Sequence, residues 1–103
     1  MRELFHPDVQ QVSLASLLYA LGDPVRLEIA RKLSREGEQA CSSLCCDVAK
    51  STLSHHFKIL REAGVVFSRK EGTQRINSLR KAELDQRFPG VMDALLAIAD
   101  DDC

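Results

Sequence analysis

The chain is expected to be mainly α-helical with one small β-hairpin, an α+β arrangement in a single domain over residues 1–103. Helix composition or helical spacing marks residues 8–21, 24–36, 50–63 and 91–99. A single stretch, residues 65–78, reads as two short strands around a Gly-containing turn. A third observation concerns charge, because the net −1 hides a basic middle between acidic flanks. Residues 50–81 hold eight Lys and Arg against two Glu, a net +6. Residues 1–49 hold five against seven acids, and residues 82–103 one against six. Such asymmetry points to one face that meets a polyanion.

Met1 to Pro7 reads as a short arm. In residues 8–21, Val9, Val12, Leu14, Ala15, Leu17, Leu18, Tyr19, Ala20 and Leu21 lie right round the axis of the expected helix. A helix apolar on all sides must be covered on all sides. A chain this short buries only a modest core, so a second copy is expected to cover it and the protein is expected to be dimeric. With no Trp and five aromatic residues, that core is aliphatic.

Gly22-Asp23-Pro24 is a stop and a restart, with Gly22 ending one helix, Asp23 capping the next and Pro24 at its first position. The second helix runs to about Glu36, with Val25, Ile29 and Leu33 on one stripe and Glu28, Arg31 and Lys32 opposite; Gly37 ends it. Residues 38–49 are ambiguous, and a short helix over Ser42 to Asp47, capped by Ser42 or Ser43, is one reading. From Lys50 to Ala63, Leu53, Phe57 and Leu60 share a stripe. Ser51, Ser54, His55 and Lys58 lie broadly opposite, and His56 borders the apolar stripe, which suits a packed structural role. Ser51 and Thr52 also suit helix capping. Gly64 breaks the helix.

Residues 65–69 and 74–78 read as strands, joined by Lys70-Glu71-Gly72-Thr73. Leu79 to Arg87 is a short helical stretch, Pro89 and Gly90 punctuate, and Val91 to Ala99 is an apolar helix before an Asp-Asp-Asp-Cys tail. Two helices, a short turn, a basic amphipathic helix and a basic hairpin follow the order of a winged helix-turn-helix. A helix fits the major groove, where base edges present distinct donors and acceptors. The short polar tips of Ser51, Ser54 and His55 suit base edges or phosphates, and Lys50 and Lys58 supply phosphate charge. Arg69, Lys70, Thr73 and Arg75 on the hairpin suit the flanking backbone or minor groove. No cofactor is expected for binding DNA. An adaptor that docks an acidic protein is the rival from outside this class. Enzyme chemistry is not expected, because there is no carboxylate pair with a nucleophile, no Gly-rich phosphate loop and no metal-hydrolase motif.

The stretches "LYALGDPVRLEIARKL", "KSTLSHHFKILREAGVV" and "SRKEGTQRINSL" resemble three characteristic segments of the ArsR/SmtB repressors. The resemblance covers about residues 12–98. It implies a bacterial dimeric winged-helix protein that releases operator DNA when an inducer binds. It also implies recognition by Ser51, Thr52, Ser54 and His55, and a dimer formed by the first and last helices (residues 8–21 and 91–99).

The cysteines depart from that pattern. Many relatives carry Cys-x-Cys before the recognition helix; here the spacing is Cys-x3-Cys-Cys, at Cys41, Cys45 and Cys46, and the preceding segment is about two residues short. The family's other metal site needs His on the last helix, which here offers Asp93 and no His, so no zinc or nickel site is expected there. On a helix Cys41 and Cys45 would share a face. Three thiolates suit a soft, three-coordinate ion of the arsenite or antimonite type, whereas zinc would want a fourth ligand. Redox or electrophile sensing, and inert packing, stay open as alternatives. Cys103 reads as a free tail thiol or a fourth ligand. The uncharged run Val9 to Gly22 is too short for a membrane span, which takes roughly 20 residues. It has no basic leader, so a cytoplasmic location with reduced thiols is expected.

Overall fold

Asp23 begins the first long helix as expected. Its Oδ2 accepts from the backbone N–H groups of Val25 and Arg26 at 2.9 and 3.2 Å, satisfying two donors that the helix itself leaves free. The computed structural model describes residues 4–41 and 49–99. Along these run α1 (Leu14–Leu21), α2 (Pro24–Glu36), β1 (Gln39–Ala40), α3 (Lys50–Glu62), β2 (Val66–Glu71), β3 (Gln74–Leu79), α4 (Lys81–Arg87) and α5 (Val91–Ala99).

The structure departs from the expected helix over residues 8–21. Val9–Gln11 form a single 3₁₀ turn, Val12 is extended, and α1 starts afresh at Leu14. Two local caps impose the break. Asp8 accepts from the N–H of Gln10, and the Ser13 hydroxyl accepts from the N–H of Ser16. The break lets Val9 and Val12 pack beside Gly64 at the end of α3. Gly64 has φ +75°, and a Cβ there would lie 3.0 Å from Val12 Cγ2. The same residue closes α3: the N–H of Gly64 donates to Arg61 C=O and that of Val65 to Leu60 C=O, at 3.1 and 3.0 Å. Ser51 and Thr52 do not cap α3. Ala49 holds the cap position with no side-chain bond, and the two hydroxyl residues lie inside the first turn.

The sheet has three antiparallel strands in the order β1-β3-β2. β2 and β3 are longer than the sequence suggested and leave only Gly72-Thr73 as the loop, with Glu71 paired to Gln74. Gly72 has φ +61° and Thr73 a negative φ, the pattern of a two-residue hairpin turn with Gly first. Leu79 belongs to β3, so the following helix begins at Lys81. β1 was not expected; it pairs Gln39 with Asn77 and Ala40 with Ile76. Asn77 is fully buried and its side chain secures that pairing. It accepts from Ser68 Oγ at 2.6 Å and donates to Gln39 C=O at 3.4 Å and Cys41 Sγ at 3.2 Å.

The core is aliphatic: Leu17, Ile29, Leu60, Val65, Val66, Leu84 and Met92 are fully enclosed between the helices and one face of the sheet. The N-terminal arm crosses the free edge of β2. The Ser68 N–H donates to His6 Nε2 at 3.0 Å, and the His6 ring stacks on Phe67 at 4.3 Å. A covered amide is one fewer template for strand addition at a sheet edge. Of α1 and α5, each is buried on one side only. Tyr19 is 67% exposed, Leu18 45% and Ile98 66%. No described helix is long and apolar enough to cross a membrane.

Candidate nucleic-acid interface

α3 is two-faced. His56, Phe57 and Leu60 are buried, and Leu53 and Ile59 pack against the core from its margins. Lys50, Ser51, Thr52, Ser54, His55 and Lys58 are all exposed. Ser51, Ser54, His55 and Lys58 follow i, i+3, i+4, i+7 spacing, so they form one continuous strip. One cation, two hydroxyls and an imidazole along about 11 Å of helix, at about 1.5 Å rise per residue, are groups that phosphates and base edges accept from. All six residues expected on α3 are thus exposed, and four of them share this strip.

The hairpin is less uniform. Lys70 and Thr73 are exposed near its tip. Arg69 already carries acids: its guanidinium donates to Glu38 at 2.6 and 3.2 Å and to Glu71 at 2.7 Å. The Arg69 hydrogen bond holds the Glu38 carboxyl below the usual carboxylate range, and those two acids hold Arg69 firmly protonated. Arg75 is half-buried, and its Nε is enclosed without a hydrogen-bond partner among the described residues.

Sequence reasoning missed Arg61, in the last turn of α3. Its Nη1 is enclosed without a hydrogen-bond partner among the described residues, and burial followed by the nearby Arg75 cation lowers its pKa. Its position three residues after Lys58 was the available signal. Glu38, the acid that occupies Arg69, was also missed, since nothing local links residues 31 apart.

Of the thiols, Cys41 is half-buried at the end of β1, where its Sγ accepts from Asn77 Nδ2. Cys45, Cys46 and Cys103, and the expected short helix over 42–47, lie outside the described residues. Among the described residues, no three His, Cys, Asp or Glu side chains come close enough to share a metal ion. Asp93 on α5 pairs with Lys81 Nζ at 2.7 Å.

Residues 23–68, which include α2, β1 and α3, match the family described as bacterial regulatory protein, arsR family. The Bacillus subtilis protein YceK, an uncharacterized HTH-type transcriptional regulator, is 37% identical over 84 residues, which span 79% of this chain and 84% of that protein. The arsenical resistance operon repressor of Staphylococcus xylosus is 38% identical over 79 residues, 70% of each. Among solved structures, the transcriptional repressor BigR from Xylella fastidiosa aligns with a TM-score of 0.66 at 33% identity, covering 82% of this chain and 84% of that one.

Proposed function

Because the chain belongs to the arsR family of bacterial regulatory proteins, we propose that it binds operator DNA through α3 and the β2–β3 hairpin and leaves it when a soft ion is captured by Cys41, Cys45 and Cys46. It is a transcriptional regulator and not an enzyme, as its relatives are. The exposed strip on α3 is the observation that carries the DNA reading: Lys50, Ser51, Thr52, Ser54, His55 and Lys58 are accessible together on a helix anchored from behind by Phe57 and Leu60. Lys70, Thr73, Arg69 and Arg75 extend the contact to flanking backbone.

The operator-bound form is a homodimer. The exposed side chains of Leu14, Leu18, Tyr19 and Ile98 on α1 and α5 supply the apolar surface for a second copy. It works in the cytoplasm, where its thiols stay reduced.

The inducer reading rests on donor chemistry. Thiolates select soft ions, and a set of three suits arsenite or antimonite. The Staphylococcus xylosus relative is named for arsenical resistance, which supports the same class. Cys41, Cys45 and Cys46 would hold the ion. Cys41 joins that set to the sheet through Asn77, so capture there bears on the backbone leading into α3. Linkage then requires that an inducer favouring the DNA-free arrangement weaken DNA binding by the same factor, typically about 5- to 150-fold.

The test uses a duplex selected from a random library by the wild-type protein. Arsenite should displace wild type from it and leave a triple Cys41, Cys45 and Cys46→Ser variant bound. A triple variant that still responds overturns the site. If oxidant releases the DNA and arsenite does not, the same thiols serve redox sensing, and a disulfide between two of them should appear by mass spectrometry.

A further inference from the structure

Arg26 is 8% exposed, an unusual place for a cation unless several acceptors meet it. In the first turn of α2 it reaches two other helices. Its Nε donates to Ala20 C=O at 2.6 Å and its Nη2 to Tyr19 C=O at 3.3 Å. These are last-turn carbonyls of α1, at the negative end of the helix dipole; that of Tyr19 also accepts from the capping Gly22 N–H at 3.2 Å. The guanidinium also lies 5.4 Å from the centre of the Tyr19 ring, within cation–π range. Its Nη1 meets His56 Nδ1 on α3 at 3.3 Å. A guanidinium only donates, so a hydrogen bond across this contact has Nδ1 as its acceptor. Asp23 Oδ2, which caps α2, lies 3.8 Å from the same nitrogen.

His56 immediately follows His55 and lies two residues from Ser54, the exposed pair on the DNA-facing strip. Phe57 and Leu60 hold α3 by apolar packing, which has no directional requirement. The Arg26–His56 bond does have one: a turn of α3 about its axis, or a slide along it, lengthens a contact already at 3.3 Å.

We propose that Arg26 is a positioning residue for DNA recognition, tying the rotation of α3 to the last turn of α1 through His56 Nδ1. The proposal rests on the reading that α3 binds DNA. Its consequence is that Tyr19 and Ala20, beside the surface offered to a second copy, share one side chain with the helix that reads bases. Sequence-specific contacts depend on that rotation, whereas phosphate contacts made by flexible Lys58 and Lys70 do not.

The experiment compares affinity for the selected duplex with affinity for a scrambled duplex, on protein shown by thermal denaturation to be folded at the assay temperature. His56→Leu removes the acceptor, and His56→Asn returns one at nearly the same place. His56→Leu and Arg26→Met should each lose about tenfold of the selected-to-scrambled ratio, within the usual range of such couplings. His56→Asn should stay within about twofold of wild type, and scrambled-duplex binding should change little in all three. The His56 pair decides the matter even if Arg26→Met fails to fold. The proposal is overturned if His56→Leu keeps the ratio, or if His56→Asn loses as much as His56→Leu. A wild-type protein that binds no duplex would instead remove the DNA reading beneath it, a separate and recognisable result.

Discussion

Glu38→Gln should make the protein bind DNA more tightly. The hairpin carries three cations that face solvent wholly or in part, Arg69, Lys70 and Arg75, and the acids beside them are Glu71 on β2 and Glu38, the residue before β1. Both acids are bonded to Arg69. The substitution raises the local net charge from +1 to +2 and leaves Arg69 only Glu71 to satisfy. Exposed ion pairs are weak, so freeing Arg69 is worth about two- to fivefold in affinity near 0.1 M salt. If the freed guanidinium takes a phosphate, the log–log salt slope should steepen by up to about 0.9. Fluorescence anisotropy on a labelled duplex, read at several salt concentrations, measures both. The gain should be the same at pH 6 and pH 8. Arg69 depresses the Glu38 pKa, so the pair is intact above the ordinary carboxylate value and is lost only as pH falls through the lowered one. Placing Arg69→Ala in the Glu38→Gln background should erase the gain. A gain that survives without Arg69, or no gain at all, would refute the argument that Glu38 masks Arg69.

Leu60→Ala, at a fully enclosed position where α3 meets the core, should cost about 2–5 kcal/mol in denaturant unfolding; a cost below about 1 kcal/mol would show that the site collapses around the cavity. Leu18→Glu places a charge on the exposed apolar side of α1 and should yield a monomer by light scattering, whereas wild type should weigh two chains at micromolar concentration. Cys103→Ser should leave the arsenite response intact, because Cys41, Cys45 and Cys46 suffice for a three-coordinate ion. A lost response would bring the tail thiol into the site.

What could be read directly was what nearest neighbours decide. Gly22-Asp23-Pro24 carries its own stop, cap and start, and α2 begins where those residues put it. The apolar stripe of α3 and the Gly72 turn are equally local. Illegible features fall into two kinds. Some were local but outweighed: Ser13 caps α1 inside a run whose apolar composition suggested one unbroken helix, and β1, at two residues, is too short to show a period. Others exist only after folding. Arg26 meets His56 30 residues away, and Arg69 meets Glu38 31 residues away. A lone His beside an apolar stripe and an Arg in a first helical turn give no sign that they will touch. The strip on α3 was legible because one helix holds all of it; the masking of Arg69 was not, because it took a third strand to deliver Glu38.

The central claim is that the exposed face of α3 reads DNA sequence while the lysines around it supply charge. It is tested most directly by titrating wild type and a Ser54→Ala/His55→Ala variant against the selected and the scrambled duplex at the same salt. Both substitutions are on exposed positions, so the fold should be unaffected. The account predicts that the variant binds the scrambled duplex within about twofold of wild type and loses tenfold or more on the selected one, the cost of about 1–3 kcal/mol expected for lost base contacts. Equal losses on the two duplexes, or none on either, would contradict it.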